Sequence, residues 1–327
     1  AIVMTIGSDF EEQFSNKSYG FREGRNCQQA VLKAQEYVES GKCWVVEMDL
    51  SKFFDRVNHD ILMDRVSRVI TDKPLLKLIR RYLNAGIMED GLVSPRIQGV
   101  PQGSPLSPLL SNVMLTELDW EIESRGLSHV RYADDCNIYV KSEKAAQRVL
   151  NSITQYVEGE LKLRVNRDKS GTFRPKDSTF LGYTFSKADN KRIVVAEKSV
   201  KRLWTKLHKM FNSARGTSLK TTIERITPVL RGWRNYYRLD TRKKYWSEMD
   251  ERIRHHLRKL IWIAWKRPKT RERNLIKLGL DPETAWRSSV NGRGAWWSSG
   301  QAHMNLAIKN RRFARLGLYS LRFMAIC

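Results

Sequence analysis

Two aspartates stand side by side, Asp134-Asp135, between the runs Val130-Arg131-Tyr132-Ala133 and Cys136-Asn137-Ile138-Tyr139-Val140. Both flanks are rich in β-branched and aromatic residues, so the segment predicts two strands joined by a tight acidic turn with carboxylates at its tip. A second β-rich run, Cys43-Trp44-Val45-Val46-Glu47-Met48-Asp49-Leu50, delivers another carboxylate near its end. Asp is favoured in turns for its local hydrogen bonding, so the pair alone carries little weight. Three carboxylates gathered at one sheet edge are different, because they repel one another unless cations lie between them. Asp49, Asp134 and Asp135 therefore suggest a Mg²⁺ site. Two such ions, about 3.5–4 Å apart, activate an attacking 3′-hydroxyl and stabilise a leaving pyrophosphate, which is polymerase chemistry. Mg²⁺ also suits a shell of carboxylates, water and phosphate oxygens.

The surrounding pattern predicts an α+β unit. Residues 1–42 read as a helix and loop, with the Gly-punctuated basic segment Ser18 to Arg25 ahead of a helix containing Ala30, Ala34 and Val38. Helical apolar spacing recurs over Asp60 to Val69 and Pro74 to Ala85. After the Gly/Pro-rich run Gly99 to Pro108, a helix is expected with Ser107 as N-cap, Pro108 first, and one core stripe of Leu110, Met114, Leu118 and Ile122. A helix over Lys144 to Val157 and a strand over Thr179 to Phe185 complete the unit, and beyond Lys198 only helices are expected. The predicted boundary lies between Ser186 and Lys198.

Charge divides the chain at the same place. Residues 1–185 hold 25 basic and 25 acidic side chains, whereas the remainder holds 34 and 10, so the whole net charge of +24 lies after Phe185. A surface that positive is expected to face a polyanion, because each neutralised phosphate releases counterions. Eight of the ten tryptophans lie there too, interleaved with arginine in a way that suits base stacking as well as core packing. Cys27, Cys43, Cys136 and Cys327 show no paired spacing, which argues against a zinc site or a disulfide framework and fits a reducing compartment. No apolar stretch is long enough to span a bilayer, so no membrane partner is expected.

Three further segments make the pattern specific: Phe53-Phe54-Asp55 after Asp49, the run Gly99-Val100-Pro101-Gln102-Gly103-Ser104-Pro105-Leu106-Ser107-Pro108, and Tyr132-Ala133-Asp134-Asp135. In order and spacing they resemble successive motifs of reverse transcriptases. Asn166 with Lys169 resembles the lysine motif that follows, and Phe180-Leu181-Gly182-Tyr183 the primer-grip hairpin. The resemblance implies metals on Asp49 and Asp134, with Asp135 beside them and the backbone carbonyl of Leu50 as a further oxygen ligand. It implies two Mg²⁺ ions, with Mn²⁺ as substitute. It places Phe54 under the sugar as the group that excludes ribonucleotides, Gln102 beside the incoming dNTP, Lys52 on a phosphate and Lys169 where it protonates the departing pyrophosphate. Arg22 and Arg25 match fingers residues that hold template or triphosphate, although Glu23 stands where the family often has proline.

The basic half narrows the resemblance. Val229 to Arg238, with Arg231, Trp233, Arg234, Tyr236, Tyr237 and Arg238, resembles the maturase thumb motif of group II intron proteins. Gly294-Ala295-Trp296-Trp297 and Leu316 to Leu321 are similar to the short DNA-binding tail of compact bacterial members, and the six named thumb residues together with Trp296 and Trp297 are expected to contact RNA or DNA. The implied architecture is a right-hand polymerase: partial fingers and palm over 1–185, an all-α thumb over 186–268, and a small basic DNA-binding domain over 269–327. Members carry a further fingers section ahead of the position of Ala1, so the chain is expected to be N-terminally incomplete, and no Cys/His endonuclease domain is expected. The implied partners are intron RNA, an RNA template with DNA primer, a DNA target and dNTPs, in a bacterial cytoplasm at the nucleoid. A host-defence or CRISPR-associated reverse transcriptase is the alternative with the same palm. An idle RNA chaperone is disfavoured by the presence of all three aspartates.

Overall fold

The computed structural model describes residues 2–85, 87–89, 92–94, 98–101, 103–189 and 191–323. It divides into two compact units, Ala1–Ile193 and Val194–Cys327, and the division falls within the stretch where the charge balance changes. The expected boundary at 268/269 falls inside the second unit.

The first unit runs α1 (Ile2–Glu11), α2 (Cys27–Glu39), β1 (Trp44–Met48), α3 (Phe53–Arg56), α4 (His59–Val69), α5 (Lys73–Asn84), β2 (Ile87–Glu89), β3 (Leu92–Ser94), α6 (Leu106–Ser124), β4 (Ser128–Tyr132), β5 (Asp135–Val140), α7 (Glu143–Gly159), β6 (Gly171–Phe173) and β7 (Tyr183–Phe185). Helix starts follow their caps. Asn26 forms a capping box with Gln29, while Asn58, Asp72 and Ser142 each accept a first-turn N–H.

Four strands form one antiparallel sheet in the order β4-β5-β1-β6. Side chains alternate across a strand, so residue parity sorts them. Val46, Met48 and Leu50 join Cys136, Ile138 and Val140 in the main core, with apolar residues of α4, α6 and α7. The odd-numbered residues, among them Glu47, Asp49, Asp135 and Asn137, share the opposite face.

Three sequence expectations are corrected. Helix α6 starts at Leu106 with Pro105 as N-cap, because the Ser107 hydroxyl is drawn to the Pro101 carbonyl and the Tyr82 hydroxyl rather than to the helix end. Pro108 still falls in the first turn, where its missing N–H costs nothing. Nor does α6 bury one stripe only: Ser111, Asn112 and Asp119 are buried as well as Leu110, Met114, Leu118 and Ile122. Thr179 to Phe185 is not the one strand its local pattern predicts but a reversal, in keeping with the hairpin that the resemblance implies for Phe180 to Tyr183. Phe180 and Tyr183 exchange both backbone hydrogen bonds at 2.9 Å around Leu181 (φ 52°) and Gly182 (φ 78°).

The second unit continues from the strand β8 (Ile193–Val195) into α8 (Glu197–Ser213), α9 (Leu219–Tyr236), α10 (Lys243–Ala264), α11 (Pro268–Lys277), α12 (Pro282–Ser289), α13 (Ala295–Gly300), α14 (Ala302–Ala307) and α15 (Asn310–Arg315). Its core is built on Trp246 and Trp262, each 1 % exposed, so some of its tryptophans are packing rather than contact surface. Among the described residues no helix is long and apolar enough to cross a membrane.

Candidate active site

Asp49 follows directly on β1, one step beyond the register pair Met48–Cys136, which sets it opposite Asp135, the first residue of β5. Tyr132 pairs with Asp135, so Ala133 and Asp134 alone make the turn. The structure thus brings the three sequence-selected aspartates to one sheet end.

The turn is held from beneath by residues that no motif singled out. Ala133 sits at φ 57°, a left-handed conformation that costs an alanine about 1 kcal/mol and persists where its surroundings over-determine it. The Arg131 guanidinium donates to the Ala133 carbonyl at 2.9 Å, to Asn112 Oδ1 at 3.0 Å, and to both carboxylate oxygens of Asp119 at 2.8 and 2.6 Å. Asn112 donates in turn to the Gly20 carbonyl at 2.8 Å. Gly20 must be glycine, since a Cβ there would collide with the Ala133 backbone nitrogen. Burial alone would raise the Asp119 carboxyl, but Arg131 outweighs it and holds the group below the usual range. The available signal for these residues was polar side chains inside an apolar helix pattern, at Asn112 and Asp119.

Asp49 is anchored separately. Its backbone N–H donates to Ser170 Oγ at 3.0 Å, its carbonyl accepts from the Asn166 N–H at 2.8 Å, and Asn166 Nδ2 donates to Oδ2 at 2.9 Å. Lys169 Nζ lies 3.6 Å from the same Oδ2, with its side chain 68 % exposed. Burial raises the Asp134 carboxyl, and Asp49 raises it further. Asp135 is pushed up to about 6, by the protein packed around it, then by Asp134, Asp49 and Glu47. Its side chain opens to solvent, so water screens part of that repulsion.

These hard, mutually repelling oxygens fit a divalent cation. Among the described residues no three His, Cys, Asp or Glu side chains close a metal cage by themselves. A cation held by Asp49 and Asp134 would therefore complete its shell with water and substrate phosphate, as Mg²⁺ prefers. Leu50 lies beside them in a bridge to Val165.

A pH dependence follows for the metal-free protein. With its folded value near 6 and its ordinary value at 3.8, Asp135 takes up a proton in the folded chain first as pH falls. Its charge therefore destabilises the fold, fully above about pH 6, and the penalty shrinks as pH falls below that value and is gone only below the ordinary value of 3.8. In chelator, Asp135→Asn is expected to be more stable than wild type at about pH 7.5 in urea unfolding, with an advantage that shrinks to about a third of that size near pH 4.5. A gain that grows toward low pH would contradict this arrangement.

The other expected residues are placed as follows. Lys52 is exposed at φ 50°, capping α3, and Phe54 is half-buried against the core with its ring edge-on to Phe53 at 5.3 Å. The Gly99 and Val100 N–H groups donate to the Val57 and Phe54 carbonyls at 2.7 and 2.6 Å, and a Cβ at Gly99 would come within 2.8 Å of that backbone. The Pro/Gly loop is thereby latched to α3. Gln102 lies outside the described residues. Arg22 is buried and spends its guanidinium on Glu11 and on the carbonyls of Ser15 and Ser18, while Arg25 binds Asn16 and lies over the Tyr19 ring.

In the second unit Arg231, Tyr236, Arg238, Trp296 and Trp297 are exposed and Trp233 is half-buried. Arg234 and Tyr237 are buried, and Arg234 donates to the carbonyls of Leu321, Tyr237 and Asp240. Trp296 stacks on His255 at 3.7 Å, and Arg293 lies 4.4 Å over Trp297.

An antiparallel sheet backed by helices, with aspartates at adjoining strand ends on its other face, is in class a polymerase palm. The chain belongs to the reverse transcriptases: residues 1–185 match the family described as reverse transcriptase (RNA-dependent DNA polymerase), and residues 200–279 match the group II intron maturase-specific domain. It is 33% identical over 222 residues to protein YkfC of Escherichia coli, covering 56% of this chain and 58% of that one. It is 31% identical over 185 residues to a putative COX1/OXI3 intron 1 protein of Saccharomyces cerevisiae, covering 54% of this chain and 21% of the other. It is 37% identical over 119 residues to the group II intron-encoded protein LtrA of Lactococcus lactis, covering 36% and 20%. The chain thus spans less than two thirds of the length of these relatives. Reverse transcriptases use divalent metal ions, and proteins that combine these two domains bind RNA.

Proposed function

We infer that this chain is the catalytic part of an RNA-directed DNA polymerase that binds a group II intron RNA, assists its splicing as a maturase, and copies it into DNA during insertion at a DNA target. The observation that carries this reading is the convergence of Asp49, Asp134 and Asp135 at one end of β1 and β5, in a chain whose basic half matches a maturase-specific domain. That match favours the intron reading over a host-defence role. The compartment in this reading is the bacterial cytoplasm, at the nucleoid.

Two Mg²⁺ ions, replaceable by Mn²⁺, would be held by Asp49 and Asp134, with Asp135 and the Leu50 carbonyl alongside; they supply charge for the attacking hydroxyl and the leaving pyrophosphate. The chain's own groups do the rest. Asn166 and Ser170 orient Asp49, Lys169 offers a proton to the departing phosphate, and Lys52 and Gln102 flank the dNTP. Primer extension on an RNA template with dNTPs and Mg²⁺, run beside a splicing assay on candidate intron RNA, tests both halves; no extension and no splicing would refute the reading.

Two results are expected. RNA affinity of the full chain should fall with salt at a log–log slope near −5, from about six phosphate contacts at about −0.9 each, whereas a nearly flat slope would remove electrostatics from the account. Phe54→Val should lower the dNTP-over-rNTP ratio of kcat/KM by about 10- to 100-fold, because the ring's face fills the space a 2′-hydroxyl needs and offers it no acceptor. An unchanged ratio in a folded variant would leave Phe54 as core packing.

A further inference from the structure

Strand β1 carries a fourth carboxylate. Glu47 lies two residues before Asp49 on the same face, level with Asn137 of β5 and Gly171 of β6. Although it adds to the negative field at Asp135, its own oxygen is engaged elsewhere. Oε1 accepts from the Ser178 hydroxyl at 2.5 Å and from the Thr179 N–H at 2.9 Å.

Ser178 and Thr179 lead straight into the tight reversal from Phe180 to Tyr183. Ser178 is buried, and its N–H is tied back to the Arg174 carbonyl at 3.0 Å. A two-residue hairpin has little stability of its own, so its position is set by what grips it. Hydrogen bonds to an ionised acceptor are about twice as strong as neutral ones, and here both come from one side chain on the strand that ends in Asp49.

We propose that Glu47 is a positioning residue: by holding Ser178 and Thr179 it seats the Phe180–Tyr183 hairpin at a fixed place relative to Asp49, and so fixes the primer end for attack. The proposal rests on the polymerase reading above and on Phe180-Leu181-Gly182 as the primer-contacting turn. It distinguishes Glu47 from the acidic centre: its carboxylate binds a hairpin, not a metal or a nucleotide. An amide oxygen can accept the same N–H and hydroxyl, so glutamine should serve where alanine cannot.

The test compares full-length Glu47→Ala, Glu47→Gln and Ser178→Ala by hydrogen exchange at the Thr179, Phe180 and Tyr183 amides and by primer extension. In Glu47→Ala, exchange at these amides should quicken about tenfold, and KM for primer–template should rise about tenfold while kcat for bound primer stays within about threefold. Glu47→Gln should recover most of both effects, and Ser178→Ala should fall between. Unchanged exchange in Glu47→Ala, a lost kcat at unchanged KM, or a glutamine variant as poor as alanine would each overturn the proposal. Should Glu47→Ala fail to fold, the other two variants decide by the same measures. A wild type that extends no primer refutes the polymerase reading, and with it the primer role, while the exchange data still decide whether Glu47 latches the hairpin.

Discussion

Asp134→Asn is expected to extend an RNA-templated primer at less than about one-thousandth of the wild-type rate while binding RNA within about twofold. The substitution keeps the shape of the side chain and removes one negative charge at the acidic turn. Asp134 is flanked by Asp135 and faced by Asp49, so taking its charge away relieves repulsion rather than creating it. Stability should hold or rise slightly, which separates a chemical defect from an unfolded one. RNA affinity is expected to rest on the 34 basic side chains beyond Phe185. Single-turnover extension and filter binding on the same preparation check both halves. A variant that stays within tenfold of wild type, about 1.4 kcal/mol of barrier, would remove the turn from the chemistry.

Asp119→Ala is expected to cost about 3–5 kcal/mol of stability and to depress synthesis with it. Arg131 and Asp119 are each 0% exposed and joined at 2.6 Å, so truncating the carboxylate leaves a guanidinium in the core with its principal partner gone. His129, also fully buried, loses its contact to the same carboxylate. Because Arg131 also holds the Ala133 carbonyl, the loss reaches the catalytic turn. The double change Asp119→Leu/Arg131→Met should regain much of the stability, since an apolar pair needs no partner, yet leave synthesis impaired because the carbonyl of Ala133 has lost its donor. Urea unfolding and primer extension on the three proteins decide. A cost below about 1 kcal/mol for Asp119→Ala would show that the pair does not hold the turn.

Much of the first unit was legible because period-2 alternation and turn residues coincide there. Asp49, Asp134 and Asp135 could be placed at strand ends from the residues flanking them, and the change of composition after Phe185 marks where strands give way to helices. Local signals failed where a tertiary partner outbid them. Ser107 is a good N-cap residue, but the Pro101 carbonyl and Tyr82 take its hydroxyl. Thr179 to Phe185 looks like one strand because Leu181 is apolar; only its left-handed φ beside Gly182 turns the chain. Asn112 and Asp119 lie in an apolar helix whose partners, Gly20 and Arg131, are remote in sequence or on another strand, and no local pattern reports such pairs. Arg22 and Arg234 resemble contact residues by motif, yet each spends its donors on nearby carbonyls, a burial that charge alone does not reveal.

The sorting of β1 and β5 by residue parity sets what kinds of sequence change this family member tolerates. Val46, Met48, Cys136 and Ile138 can exchange size with their neighbours, since a core accepts volume-conserving substitutions at small cost. A single inserted or deleted codon within either strand is another matter: it would turn the carboxylates into the helix-packed layer and the apolar side chains out beside the catalytic end. Drift in this palm is therefore confined to substitution, and length variation must be absorbed by loops that lie outside the two strands.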